Sequence, residues 1–145
     1  MKALIQRVKK ASVVIENQLF SSINQGLLVF VGVEKADSKI NAEKLFQKIV
    51  NLRIFEDENK KMNKSINDIQ GEILIVSQFT LCGNCTKGTR PSFDNSAPLD
   101  IAKELYEYFV KCACQSNLKI KTGKFQVDMQ IELVNDGPVT FFIEK

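Results

Sequence analysis

The 145-residue sequence predicts an α+β fold built mainly of antiparallel sheet. Three observations carry this. Apolar runs of strand length recur along the chain, some branched and some alternating with polar residues. Only two segments repeat apolar residues at helical spacing. The strand-like runs are grouped at both ends.

Leu4 to Ile15 reads as an extended strand with partial alternation. Asn17 and Gln18 suggest a turn, after which Phe20 to Ile23 returns as a second strand. Leu27-Leu28-Val29-Phe30-Val31-Gly32-Val33 is short, branched and apolar, as expected of a strand covered on both faces. Asp37-Ser38 can cap a helix that carries Leu45, Phe46, Ile49 and Val50 at helical spacing. Glu56 to Asn67 is mostly polar and is expected to be a loop.

Gly71 precedes a central strand over Glu72–Leu81, and residues 82–96 form a loop of Gly, Asn, Thr, Pro and Ser. Pro98 suits the start of a second helix with Ile101, Ala102, Leu105, Phe109 and Cys112 on one face. Thr122-Gly123-Lys124 makes a turn. Phe125, Val127, Met129, Ile131 and Leu133 then alternate with polar residues, which predicts a strand with one wet face. Asn135-Asp136-Gly137-Pro138 interrupts it, and Val139–Ile143 forms a last strand.

No linker, repeat or low-complexity segment divides the chain, so residues 1–145 are expected to form one domain. With 44% hydrophobic and 26% charged residues, the composition is that of a soluble globular protein rather than a disordered one. The net charge of +3 permits binding to a polyanion without demonstrating it. There is no apolar signal segment and no run of about 20 apolar residues, so a cytoplasmic location is expected, with no membrane contact. Cys82, Cys85, Cys112 and Cys114 would then stay reduced.

The chain contains no histidine, which removes Ser-His and Cys-His mechanisms. The densest chemistry lies where Ile73-Leu74-Ile75-Val76 leads into Ser77-Gln78-Phe79-Thr80-Leu81, followed by Lys87-Gly88-Thr89-Arg90-Pro91-Ser92-Phe93. Such a strand end is a common way to build a site on a rigid scaffold. Ser77 and Thr80 are candidate nucleophiles that lack an evident base, and the Ser77 hydroxyl suits pairing with nearby backbone. The backbone N–H groups of Phe79 and Thr80 could instead face a developing oxyanion. Lys87 and Arg90 are either solvated cations or phosphate contacts.

Arg7 is either an edge residue or a fork that fastens a loop through carbonyl oxygens. Gly137-Pro138 reads locally as a plain turn. The alternative is a rigid backbone element that aims carbonyl oxygens at a ligand, since proline offers no N–H. Cys82-Gly83-Asn84-Cys85 has redox or zinc-knuckle spacing, but Cys112 and Cys114, two apart on a predicted helix, diverge, and with no histidine to complete a ligand set a structural role is favoured, with no metal. Phe125 and Met129 share a face and read as core unless that face opens onto a pocket.

Together these segments resemble the D-aminoacyl-tRNA deacylase family over nearly the whole chain. The similarity starts at Ile5-Gln6-Arg7-Val8 and Ala11-Ser12-Val13, and runs through Gly26–Val29, Gly32-Val33 and Asn51–Phe55. It is most specific at Ser77–Leu81, at Lys87-Gly88 with Arg90–Phe93, and at Asn135–Thr140. Cys82 stands where an aromatic residue is frequent in similar sequences, which affects packing or pocket lining rather than mechanism. A related family that accepts some L-aminoacyl groups carries Pro-Gln-Ala-Thr in place of Ser77–Thr80, so the chain resembles the D-specific branch.

The resemblance implies a barrel-like sheet arrangement with two principal helices packed outside. It implies hydrolysis of the D-aminoacyl-tRNA ester, and a homodimer with its active site at the subunit interface. Gly137-Pro138 would be cis and reach into the partner's pocket, where its oxygens hold the α-amino group and exclude L side chains. Arg7 would orient that corner. Ser77, Gln78, Phe79 and Thr80 would surround the ester and the 3′-terminal adenosine, with Ala102, Phe125 and Met129 nearby. No cofactor is implied. A non-catalytic module binding the tRNA 3′ end would share these features and is the rival expectation.

Overall fold

A computed structural model describes residues 1–145. Its main sheet has six strands. β1 (Lys2–Ile15) is the longest but one and serves as the hub. Its second half pairs antiparallel with β2 (Gln18–Ile23) and its first half with β3 (Gly26–Gly32). The β1–β2 turn places Glu16 and Asn17 at φ 50° and 62°, the left-handed geometry that two-residue hairpins require.

β3 leads into α1 (Lys39–Val50), capped by Ser38, whose hydroxyl and backbone N–H both meet the Asn41 side chain at 2.6 and 3.0 Å. The stretch expected to be a loop contains a small hairpin, β4 (Phe55–Glu56) with β5 (Met62–Lys64). Asp57 organises it, accepting from the Asn59 and Lys61 N–H groups and from the Asn63 amide. Its carboxylate is held below the ordinary range mainly by the Asn63 hydrogen bond.

β6 (Glu72–Ser77) returns parallel to β3. It ends four residues earlier than the apolar run suggests, because the chain tightens into a 3-10 turn over Phe79–Cys82. α2 (Leu99–Cys114) follows Pro98. Its buried stripe is Leu105, Tyr106, Phe109 and Ala113, with Ala102 and Cys112 half-buried, whereas Ile101, expected on that face, is exposed. Lys119–Thr122, unrecognised because its polar residues outnumber its apolar ones, forms β7 and pairs parallel with β6.

The expected strand over Phe125–Leu133 begins only at Gln130. Residues 123–129 are a loop with Gln126 at φ 60°. Period-two burial persists through it, which is why the pattern mimics a strand. β8 (Gln130–Glu144) then runs antiparallel along nearly all of β1.

The fold is therefore α+β and mainly antiparallel, with parallel β3–β6 and β6–β7 pairs produced by the two helical crossovers. The sheet curls until β2 approaches β7, where the Ser21 hydroxyl donates to the Thr122 carbonyl at 2.8 Å, and the result is a nearly closed barrel-like sheet. Both helices cover one face, joined by an edge-to-face contact of Phe46 and Phe109 at 5.9 Å. The other face encloses a smaller core of Val8, Val13, Leu28, Leu74 and Val76. β6 alternates between them: Ile73 and Ile75 point to the helices, Leu74 and Val76 to the barrel interior. No helix is long and apolar enough to cross a membrane.

Candidate active site

β3 and β6 run in register from Gly26↔Glu72 to Val31↔Ser77, so their carboxyl ends finish together. The Gln78 N–H closes this end by donating to the Val31 carbonyl at 2.8 Å. Ligand sites favour the carboxyl ends of parallel strands, where side chains and free backbone groups converge beyond the ladder. A cavity of about 610 Å³ opens there. That volume is in the range of pockets that enclose a small-molecule ligand.

Val31, Val33 and Val76 form the apolar floor, and Ser77, Gln78 and Phe79 one wall. Ala102 and Tyr106 of α2 form a second wall, and Phe125 to Met129 a third. The structure thus brings Ser77, Gln78, Phe79, Ala102, Phe125 and Met129 together around one space. Both cores contribute, since Tyr106 belongs to the helix-side cluster and Val76 to the barrel-side one.

Thr80 lies outside the lining. Its hydroxyl oxygen accepts from the Gln78 amide at 2.5 Å, so its visible role is to orient Gln78. The first bond inside the 3-10 turn is Leu81 N–H to the Gln78 carbonyl at 3.2 Å. The Phe79 and Thr80 N–H groups precede it and have no acceptor within the turn. Cys82 is buried, with its thiol directed at the Val33 carbonyl at 3.4 Å. Burial pushes that thiol pKa up, which disfavours the nucleophilic thiolate.

Sequence reasoning missed Tyr106 and Asp128. The Tyr106 ring packs on Phe125 with centroids 5.5 Å apart, and its hydroxyl donates to the Ile75 carbonyl at 3.1 Å. Burial raises its pKa far above the ordinary value, so it remains a neutral donor. The spacing Ala102, Tyr106, Phe109, Ala113 carries the helical signal that would have found it. Asp128 is the one carboxylate of the lining. The third wall is closed by Met129, whose sulfur accepts from the Lys124 N–H at 3.3 Å and packs over Gly123.

Gly137 and Pro138 are exposed and lie outside the cavity of their own chain. The peptide between them is cis. The β1–β8 register passes from Gln6↔Thr140 to Val8↔Asn135, so Arg7 alone opposes the four residues Asp136 to Val139. That excess throws the chain outward as a bulge. Asn135 staples the two ends of the bulge, its amide oxygen accepting from Val139 N–H at 2.7 Å and its nitrogen donating to the Thr140 hydroxyl at 2.8 Å.

Arg7, almost fully buried, forks from beneath: Nε donates to the Asp136 carbonyl at 2.8 Å and Nη1 to the Ile54 carbonyl at 2.7 Å. Gly137 has φ +133°, and a Cβ there would fall 2.9 Å from Arg7 Nη2. Only glycine fits both the dihedral and the space. Lys87 and Arg90 are exposed on the loop beyond the 3-10 turn.

Fold and cavity define an α+β protein with a cavity at the ends of parallel strands and a fixed backbone corner on its surface. A family model described as D-Tyr-tRNA(Tyr) deacylase matches residues 4–144. A D-aminoacyl-tRNA deacylase of Thermosipho africanus (strain TCF52B) is 57% identical over 144 residues, covering 99% of this chain and 97% of that relative. One of Pelobacter propionicus (strain DSM 2379 / NBRC 103807 / OttBd1) is 52% identical over 145 residues, covering 100% of both. A solved structure named c-Myc DNA Unwinding Element Binding Protein superposes with a TM-score of 0.94 at 41% identity, covering 100% of this chain and 99% of that one. This chain belongs to the D-Tyr-tRNA(Tyr) deacylase family.

Proposed function

We propose that the protein hydrolyses the ester bond of D-aminoacyl-tRNA, and of glycyl-tRNA, releasing the amino acid and free tRNA. Residues 1–145 form one catalytic domain that works in the cytoplasm without a cofactor. The observation that carries this reading is the outward bulge at Gly137–Pro138, fixed by Arg7 and Asn135. Family membership and a cavity of fitting size support it.

Since the corner lies outside its own cavity, it serves the cavity of a second copy. β8 is a 15-residue strand paired only with β1, and Val134, Phe141 and Phe142 are exposed on it, as suits a homodimer interface. In the assembled site the corner's carbonyl oxygens accept from the α-ammonium group. An L side chain would then be driven into the corner. Rejection by clash reaches far larger ratios than the 1–3 kcal/mol available from fitting one more methylene.

The chemistry is positional. The acyl carbonyl oxygen sits against the Phe79 and Thr80 N–H groups, which stabilise the tetrahedral intermediate. The 2′-hydroxyl beside the ester orients a water molecule. The water oxygen attacks the carbonyl carbon, the carbon–oxygen bond to the ribose breaks, and the water proton passes through the 2′-hydroxyl to the departing 3′ oxygen. Ser77 and Gln78, the latter oriented by the Thr80 hydroxyl, hold the adenosine end, with Ala102, Phe125 and Met129 packed around it.

Purified protein, at substoichiometric amounts, is expected to turn over D-Tyr-tRNA and Gly-tRNA repeatedly and to act on L-Tyr-tRNA at least about a hundredfold more slowly. Equal turnover of the two tyrosyl enantiomers overturns the gatekeeper. The rival, a module that binds the tRNA 3′ end without chemistry, draws on the DNA-binding name of the 41%-identical structure. Less than one turnover per site would favour it.

Thr80→Val is expected to keep kcat within about tenfold of wild type, because the hydroxyl only orients Gln78. Loss of a covalent nucleophile costs about 10⁴-fold or more. A loss of that size, in a variant that folds and still binds tRNA, would make Thr80 the nucleophile.

A further inference from the structure

Phe79 and Phe93 are large aromatic side chains, 59% and 38% exposed, in contact with ring centroids 5.0 Å apart at an interplanar angle of 55°. Phe79 lines the cavity and Phe93 does not, so the pair leads outward from the mouth. The backbone around Phe93 is fixed. Asn84 and Ser92 exchange both backbone hydrogen bonds, at 2.7 and 3.0 Å, closing the loop between them, and the Ser96 N–H donates to the Phe93 carbonyl at 2.9 Å. The Phe93 ring lies so close to Gly83 that a Cβ there would fall 3.0 Å from it.

The closed loop carries Lys87 and Arg90. Both are exposed and neither joins any of the ion pairs of the molecule. Asp94, the one acidic residue of residues 83–97, accepts from the Ser92 hydroxyl at 2.6 Å. Exposed aromatic faces flanked by free cations are the means by which proteins follow a single strand of nucleic acid, stacking bases and pairing phosphates.

We propose that Phe93 extends the site beyond the terminal adenosine as a stacking platform for the preceding unpaired base of the tRNA 3′ end, with Lys87 and Arg90 taking the phosphates of the same strand. The inference rests on the reading of the cavity as the terminal aminoacyl-adenosine site and adds to it a second nucleotide subsite.

The test compares two substrates and one ligand. Phe93→Leu keeps an apolar contact with Gly83 and removes the π face, whereas Phe93→Trp restores a face. For Phe93→Leu, KM for D-Tyr-tRNA is expected to rise about tenfold, the order of one base–aromatic stack, with kcat within twofold. KM for the single-nucleoside substrate D-tyrosyl-adenosine is expected to stay within twofold. The Kd for an uncharged single-stranded oligoribonucleotide ending in CCA, read by fluorescence anisotropy at fixed salt, is expected to weaken about tenfold and to recover in Phe93→Trp. Equal effects on the two substrates, or an unchanged oligonucleotide Kd, overturn the platform. A wild-type protein that binds the oligonucleotide through Phe93 but hydrolyses neither ester overturns the proposed activity and leaves the platform standing.

Discussion

Replacing Arg7 by methionine is expected to lower stability by about 2–4 kcal/mol and to weaken the preference for D over L substrates at least tenfold. The guanidinium is the one side chain that spans the bulge in β8 and the segment after α1, donating to the Asp136 and Ile54 carbonyls. Its bond to Ile54 is buried, and removing the donor strands that acceptor. An orphaned buried polar group costs about 1–3 kcal/mol, and charge-assisted bonds lie at the upper end. The ion pairs to Glu56 at 3.8 Å and Asp136 at 3.7 Å add little, because both are long and neither carboxylate is buried. Thermal unfolding should therefore shift downward by roughly 10 °C.

The loss of selectivity follows from geometry. Four residues oppose Arg7 alone, so without its fork the Gly137–Pro138 corner is restrained only by Asn135. In the role proposed for it, a mobile corner would yield to an L side chain instead of clashing with it. The check is a pair of single-turnover rates on D-Tyr- and L-Tyr-tRNA, measured with the variant well below its melting temperature. A destabilised variant with undiminished selectivity would confine Arg7 to folding.

Gly26→Ala is expected to be the most disruptive small substitution in the chain. A Cβ at Gly26 would lie 1.8 Å from the Glu72 carbonyl oxygen and under 3 Å from the Glu72 carbonyl carbon and nitrogen. These are backbone atoms, which no side-chain rotation can move. β3 and β6 must separate at their first registered pair, Gly26↔Glu72, and the neighbouring bond from Glu72 N–H to the Gln25 carbonyl at 3.1 Å breaks with them. Overpacking in cores costs about 1–3 kcal/mol, and a rigid backbone obstacle places this case above about 3 kcal/mol. Urea unfolding monitored by circular dichroism measures it. A midpoint equal to wild type would mean that the two strands are not packed as closely as described.

Much of the architecture was legible because its cause is local. The branched run at Leu27–Val33 belongs to a strand with two apolar faces, and it is buried on both. Ser38 and the Leu45, Phe46, Ile49, Val50 stripe mark α1 for the same reason. What escaped depends on distant partners. β7 has no strand signature of its own and exists because β6 offers an open edge. Phe125 to Met129 alternate like a strand but are lifted off the sheet by the turn at Gln126 and the Met129–Lys124 contact, and so become a cavity wall.

The site divides in the same way. Ser77, Gln78 and Phe79 were visible as a polar end to an apolar strand. The place of Tyr106 on the buried stripe of α2 was readable from its spacing, but its partner was not, because its hydroxyl meets the Ile75 carbonyl only when α2 packs across β6. The Asp136–Val139 bulge shows in sequence as a proline that interrupts a strand. Its depth is set by pairing with β1, which local sequence does not encode.

β6 has a core on either side, so its central positions Ile73 to Val76 have no solvent-facing alternative. The bed of the cavity is for that reason closed to redesign. Latitude for reshaping the cavity lies instead in the two flanking loops, residues 83–97 and 123–129, at positions other than Ala97, Phe125 and Met129, which pack on the two cores.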